Sequence, residues 1–335
     1  MKKWLLDLLD CETIKLKVSK YSRVLPEIYS GVIFCDKDEY FIRRSIPILT
    51  NKKWLKKISK LRGLYEALPA APWRALTNDW VKHMRLIHYR LLLDSVRLLE
   101  SKDNLTILAL GCGWGWEIWC LSRILRKLSV KARIIGTDIA FKPLRLARKI
   151  LEREKEIFDI IEFCISPAEK IPFKANTFDI VLAIFGSLDH SESYPLIFQE
   201  VSRVLRQNGL FVFTVLNRFS LDWLLRVATK PRLFLKTVRK MRDPFTRITI
   251  PLPKQGSIRI PTHYYVPAEV LRLLRMAKLT PLKFYSIFSL LPMNFKAKKF
   301  NYVHRILHYL DYYGSTVPFL KFLGRYLGVI AKKVV

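Results

Sequence analysis

The stretch ILALGCGWG, residues 107–115, runs four apolar residues into Gly111, Gly113 and Gly115. The helix-periodic WEIWCLSRILRKL follows at once, so the segment reads as buried strand, glycine loop and helix. Backbone without side chains can come close to a ligand there, and Gly111 and Gly115 are free to take positive φ. The third residue after Gly113 is the bulky Trp116. A dinucleotide loop wants a third glycine at that place to let helix meet strand, so a dehydrogenase is disfavoured.

Outward from this loop, apolar runs alternate with helical patterns. LTILAL, ARIIGTDI, IIEFCIS, TFDIVLAIFG and NGLFVFTVL read as strands, with helices between them. That alternation predicts an α/β fold with a doubly wound, mostly parallel sheet, whose ligands lie at the carboxyl ends of the strands. Asp138 ends the second strand about 20 residues beyond the glycines, where a carboxylate can accept both hydroxyls of a ribose. Asp179, at the start of a strand, reads as a group bonding nearby backbone. His190 follows the fourth strand at the pocket mouth and is the candidate general base. Trp114 and Trp116 suit either stacking on a substrate or core packing, and Cys112 reads as a small residue that packs.

Taken together, the glycine loop, GTDIA, SPAEKIPF, TFDIVLAIFGSLDH and EVSRVLRQNGLFVF resemble the Rossmann-like, class I S-adenosylmethionine-dependent methyltransferases over residues 105–216. The similarity is to the branch acting on small molecules, lipids and quinones. It implies S-adenosylmethionine as cofactor, with Gly111, Cys112, Gly113 and Gly115 against its methionine and sugar, Asp138 on the ribose and Ile139 beside the adenine. It further implies Ala168 and Glu169 at the adenine edge, and Ala183 to Phe185 beneath the sulfonium. Two positions depart from the family pattern: Ala109 stands where an acidic residue is usual, and Pro167 where an aspartate is usual. Methyl transfer needs mainly in-line positioning and removal of a proton, so no catalytic triad is expected.

Residues 1–50 form a segment of their own, with a short helix in KKWLLDLLD and two strands around a turn at Asp36 to Asp38. LLDLLDC, GVIFC and SIPIL resemble the zinc-ribbon-like activator subunit of tRNA and release-factor methyltransferases. Ile14 and Asp38 replace two of its four cysteines, so no metal is expected. Residues 51–100 hold a basic amphipathic helix, with Trp54, Leu55, Ile58 and Leu61 on one face, and a long lead-in helix after Thr77. Residues 101–335 read as the methyltransferase domain, with a basic, helical, aromatic lid inserted at about 217–262 and 290–325.

The chain carries 59 Lys and Arg against 28 Asp and Glu, a formal charge of +31. Such a field suits a polyanionic partner: RNA, or an anionic membrane to which the chain attaches peripherally. Within residues 217–262 eleven basic residues interleave with Trp223, Leu224, Phe234 and Phe245. That pattern suits a small or lipid-like methyl acceptor, with RNA as the alternative and a cofactor-poor scaffold as a third reading. No apolar run reaches the length that crosses a bilayer, and the amino terminus is a poor signal peptide. Five cysteines without framework spacing predict free thiols and a reducing cytoplasm. The acceptor's nucleophilic atom and the oligomeric state are not encoded in any motif.

Overall fold

The computed structural model describes residues 1–22, 27–36, 38–68, 79–229, 232, 245–252, 256–289 and 301–334. The first fifty residues open with the expected short helix, a 3-10 helix at Lys3–Leu8. They continue into an antiparallel sheet of β1 (Ile14–Tyr21), β2 (Ile28–Cys35), β3 (Asp38–Arg43) and β4 (Ile46–Pro47), paired in that order. The expected strand pair is β2 and β3, whose turn places Asp36 at φ 52°. β1 was not anticipated, although IKLKVSKY alternates with the period of a half-covered strand.

The cysteine expectation needs correction. Cys11 and Cys35 are joined by a disulfide, while Cys112, Cys120 and Cys164 are free and buried. The pairing is tertiary: Cys35 ends β2 beside the turn that carries Cys11, a proximity invisible in a spacing of 24 residues. The two sulfur atoms and a carboxylate oxygen of Asp36 lie within 4.8 Å of one another.

This small sheet is fastened to the rest of the chain. Leu49 donates its N–H to Ile165 O at 2.8 Å, and Asp10 and Lys174 exchange backbone bonds with Pro172 and Leu8 at 3.0 Å. Met1, Leu5 and Leu9 are fully buried in the main core. Beneath them Arg148 pairs with Glu27 and with Glu162. Removing one member of such a buried ion cluster costs about 3–5 kcal/mol, because the other charge is stranded.

The basic stretch forms two helices, α1 (Lys52–Lys57) and α2 (Ser59–Ala67), broken at Ile58, and α3 (Asp79–Leu98) leads into the main domain. There β5 (Leu105–Leu110), α4 (Trp116–Lys127), β6 (Ala132–Asp138), α5 (Phe141–Leu151), α6 (Lys155–Phe158), β7 (Ile161–Ile165), β8 (Phe178–Ala183), α7 (Tyr194–Val204) and β9 (Leu205–Leu216) alternate as expected. α8 (Leu221–Thr229), β10 (Phe245–Leu252), β11 (Gly256–His263), α9 (Pro267–Met276), β12 (Leu279–Ile287), α10 (Asn301–Gly314) and β13 (Tyr326–Lys333) complete the chain. The main sheet runs β12-β13-β9-β8-β5-β6-β7. β5 to β9 are parallel where they pair, and β13 is antiparallel between β9 and β12. All six residues of β5 are buried, as befits a strand covered on both faces.

The inserted lid is less helical than expected. β10 and β11 form an antiparallel hairpin, because residues 245–262 alternate β-branched with polar residues and so satisfy a strand period. Much of the expected lid, at 230–231, 233–244, 253–255 and 290–300, lies outside the described residues.

Candidate functional site

The carboxyl ends of β5, β6, β7, β8 and β9 open on one side of the sheet, and the glycine loop closes its centre. Its three glycines take φ of 60°, 49° and 77°, in the left-handed region that favours glycine. They answer to different neighbours. A Cβ on Gly111 would lie 2.7 Å from Ser187 Oγ, and one on Gly115 would lie 3.1 Å from Ala147 Cβ on α5. Around a Cβ on Gly113 no atom of the described residues lies within 4 Å. Bare backbone there leaves space for a ligand, whereas the other two let protein meet protein. Cys112 is buried in the same loop, and burial pushes its thiol well up, so it packs rather than reacts.

Asp138 sits partly exposed at the end of β6, as strand alternation and register with Ile165 place it. Its Oδ2 accepts the Gly113 N–H at 2.9 Å and its Oδ1 accepts the Ala140 N–H at 2.9 Å. Enclosure pushes this carboxyl up to about 6 against those two bonds. Ile139 follows it, partly exposed, at the mouth of the cleft.

α2 lies over that mouth. Glu66 accepts the N–H groups of Phe141 at 2.6 Å and Lys142 at 3.1 Å, capping the N-terminus of α5 immediately beyond Asp138. Its neighbour Tyr65 faces the ring of His190, with centroids 6.1 Å apart. Burial and the fields of Asp138 and Asp189 push its phenol up. Neither residue was singled out from the sequence, but Glu66 is the sole acid in NKKWLKKISKLRGLYEAL, and that oddity was a usable signal.

On the other side of the loop, the segment after β8 carries Phe185 and Gly186 at φ 57° and 88°. Phe185 turns its ring 45% exposed and stands 5.7 Å from Tyr326 and 6.4 Å from His88. Burial drives His88 down to about 3, so it is a neutral wall. His190 Nδ1 lies 3.0 Å from the Pro261 carbonyl, which can only accept, so Nδ1 carries the proton and Nε2 holds a lone pair. Burial lowers its pKa, which keeps the ring neutral. A Cβ at Gly186 would stand 3.2 Å from Nε2, so the glycine keeps that atom uncovered.

Ala183 is fully buried at the end of β8. Ala168 packs on the core beside Glu169, whose Oε1 accepts the Ser191 hydroxyl at 2.5 Å. Trp116 packs on the core, with Arg85 over its ring. Asp179 accepts the Thr106 N–H at 2.7 Å and two bonds from Arg206, the local structural role its position suggested.

Two buried acids went unread in the sequence. Glu117, in the first turn of α4, is pushed up to about 8 by burial and by Asp138. It brings an acidic group close to the loop that Ala109 leaves without one. Asp189 accepts the Leu216 N–H at 2.9 Å through Oδ1, and burial pushes it up to about 7. Its Oδ2 is buried without a hydrogen-bond partner among the described residues.

Residues 108–213 match the family described as a methyltransferase domain. The uncharacterized protein MJ1252 of Methanocaldococcus jannaschii is 27% identical over 189 residues, 56% of this chain and 65% of its own length. The malonyl-(acyl-carrier protein) O-methyltransferase of Legionella pneumophila is 35% identical over 111 residues, 33% of this chain and 36% of its own length. The chain therefore spans less than two thirds of either relative. A solved SAM-dependent methyltransferase from Methanosarcina mazei is 17% identical, with TM-score 0.48, over 72% of this chain and 97% of its own. The sheet order and the matched domain define an α/β methyltransferase fold. No helix among the described residues is long and apolar enough to cross a membrane.

Proposed function

We propose that this chain transfers a methyl group from S-adenosylmethionine to a small or lipid-like acceptor. The observation that carries the reading is the open space above Gly113 beside the partly exposed Asp138 carboxyl. A cofactor with a ribose and a cationic centre fits a bare backbone flanked by an acid, and the methyltransferase domain matched over 108–213 supports that choice. When bound, S-adenosylmethionine supplies a methyl group on a good leaving group. Gly113 offers bare backbone to it, beside Gly111 and Cys112 in the same loop, Asp138 accepts from the ribose, and Ile139, Ala168 and Glu169 border the adenine. Tyr65 and Glu66 on α2 hold water out of the cleft.

His190 removes the acceptor's proton through Nε2, the position its bond to Pro261 leaves unprotonated. Phe185, His88 and Tyr326 give the acceptor an aromatic wall, with the charges of Arg85 near His88 and of Arg325 near Tyr326, and its rings suit a lipid-like or isoprenoid body. A methyl-transfer assay tests the reading: tritiated S-adenosylmethionine offered with lipid extract or with RNA should label the lipid fraction. Label confined to RNA would overturn it.

Residues 1–50, 51–100 and 101–335 then divide the work. The first is a built-in counterpart of the activator subunit, held in place by backbone bonds at Ile165 and Pro172. The second covers the cleft and the third holds the cofactor.

A further inference from the structure

The helix α10 is built inside out for a surface helix. Its inner face is anchored by Asp311, fully buried, which receives His83 Nε2 at 2.6 Å and the Ser289 N–H and hydroxyl at 2.8 and 2.7 Å. Leu307 and Tyr312 pack beside it on Met84, Ile87 and Phe288. The face pointing to water should be polar. Instead Tyr302, Ile306, Tyr309, Leu310 and Tyr313 recur at helical spacing within one third of the circumference, 79%, 46%, 62%, 48% and 56% exposed. Phe319, just beyond, is 87% exposed. α8 begins against the same segment, where Leu221 donates its N–H to Leu323 O at 2.8 Å, and it exposes Leu224 and Leu225.

We propose that this aromatic face of α10 docks the protein on an anionic lipid bilayer. Two observations select a bilayer over other occupants. Three tyrosines dominate the stripe, and their rings suit the headgroup boundary, where one end is apolar and the hydroxyl stays wet. The chain as a whole carries a formal charge of +31, complementary to acidic headgroups. Contiguous exposed apolar surface of this kind marks an interaction site, and no helix among the described residues is long and apolar enough to span a membrane. At fourteen residues α10 is too short to cross, so it lies in the interface plane. The face also adjoins the site. Phe288, against which α10 packs, stands 6.5 Å from Tyr326, and Tyr326 stands 5.7 Å from Phe185. The helix that carries the docked face is thus separated by one layer of rings from the wall that receives the acceptor, its outer face lying one helix width further out. That consequence rests on the lipid-like acceptor proposed above, whereas the docking itself does not.

The test is sedimentation of the full chain with vesicles of phosphatidylcholine alone and of phosphatidylcholine with phosphatidylglycerol, without cofactor. The variant Tyr309→Ser/Tyr313→Ser/Phe319→Ser leaves the charge unchanged. The wild type should bind the mixed vesicles at least tenfold more than the neutral ones, and the variant should lose at least tenfold of that binding. A second variant, Tyr302→Ser/Ile306→Ser, should lose binding too and guards against misfolding of the first. Retained cofactor titration in both variants shows an intact fold and separates failure of docking from failure of the enzyme reading. Equal binding by wild type and variants would reduce the interaction to charge and overturn the proposal. So would an absence of sedimentation, or a wild-type dimer in sedimentation velocity that the variants convert to monomer without any vesicle binding.

Discussion

Asp138 Oδ2 accepts the Gly113 N–H at 2.9 Å, so the carboxylate ending β6 and the uncovered glycine of the loop after β5 form one unit. Either partner can therefore be altered with the other as a control. Gly113→Ala places a methyl in open space at φ 49°, and Gly115→Ala places one 3.1 Å from Ala147. Both should cost about 1–2 kcal/mol for the left-handed backbone. Only Gly113→Ala should additionally weaken S-adenosylmethionine tenfold or more, whereas Gly115→Ala should lose further stability through α5. Urea unfolding beside cofactor titration separates the two.

Burial sets the pH response. Asp138, Asp189 and Glu117 are pushed up to about 6, 7 and 8 from ordinary values of 3.8, 3.8 and 4.5. The folded chain therefore holds protons that the unfolded chain has released, and stability falls as pH rises from about 4 to 8. Asp189→Asn and Glu117→Gln should each stabilise the protein by roughly 1–4 kcal/mol at pH 8 and add little at pH 4. Denaturant midpoints at the two pH values check this; an equal effect at both would contradict it.

The disulfide closes the loop that carries β1 and β2. Cys11→Ser/Cys35→Ser should destabilise the chain by about 2–4 kcal/mol, the effect expected of a cross-link over 24 residues. Thermal unfolding with and without reductant gives the comparison. Reductant should lower the wild-type midpoint and leave the variant's unmoved.

His190→Ala should lower kcat by about 10²–10⁴ for a hydroxyl acceptor while leaving cofactor affinity within twofold. Because burial lowers the pKa of His190, the acidic limb of the rate profile should fall below the usual histidine range. Loss of cofactor binding in this variant would assign the ring to structure instead.

What the sequence disclosed follows from range. The glycine loop, the strands and Asp138 were legible because each is a local pattern: an apolar run, a turn, a residue at a strand end. Cys11 meeting Cys35, Glu66 capping α5 and Asp189 receiving Leu216 depend on where the chain returns. No spacing reports that. Tyr65 was hidden for a further reason: a tyrosine on a basic helix reads as surface until α2 is laid across the cleft. The outer face of α10 escaped because its residues look like core.

If Gly113 and Asp138 receive S-adenosylmethionine, calorimetric titration of wild type and Asp138→Ala should show it. The wild type should bind at micromolar concentration, and more weakly below about pH 6, where the carboxyl takes up its proton. The variant should lose about 1–3 kcal/mol of that binding. Equal affinity in the two proteins, or no binding in the wild type at neutral pH, would contradict it.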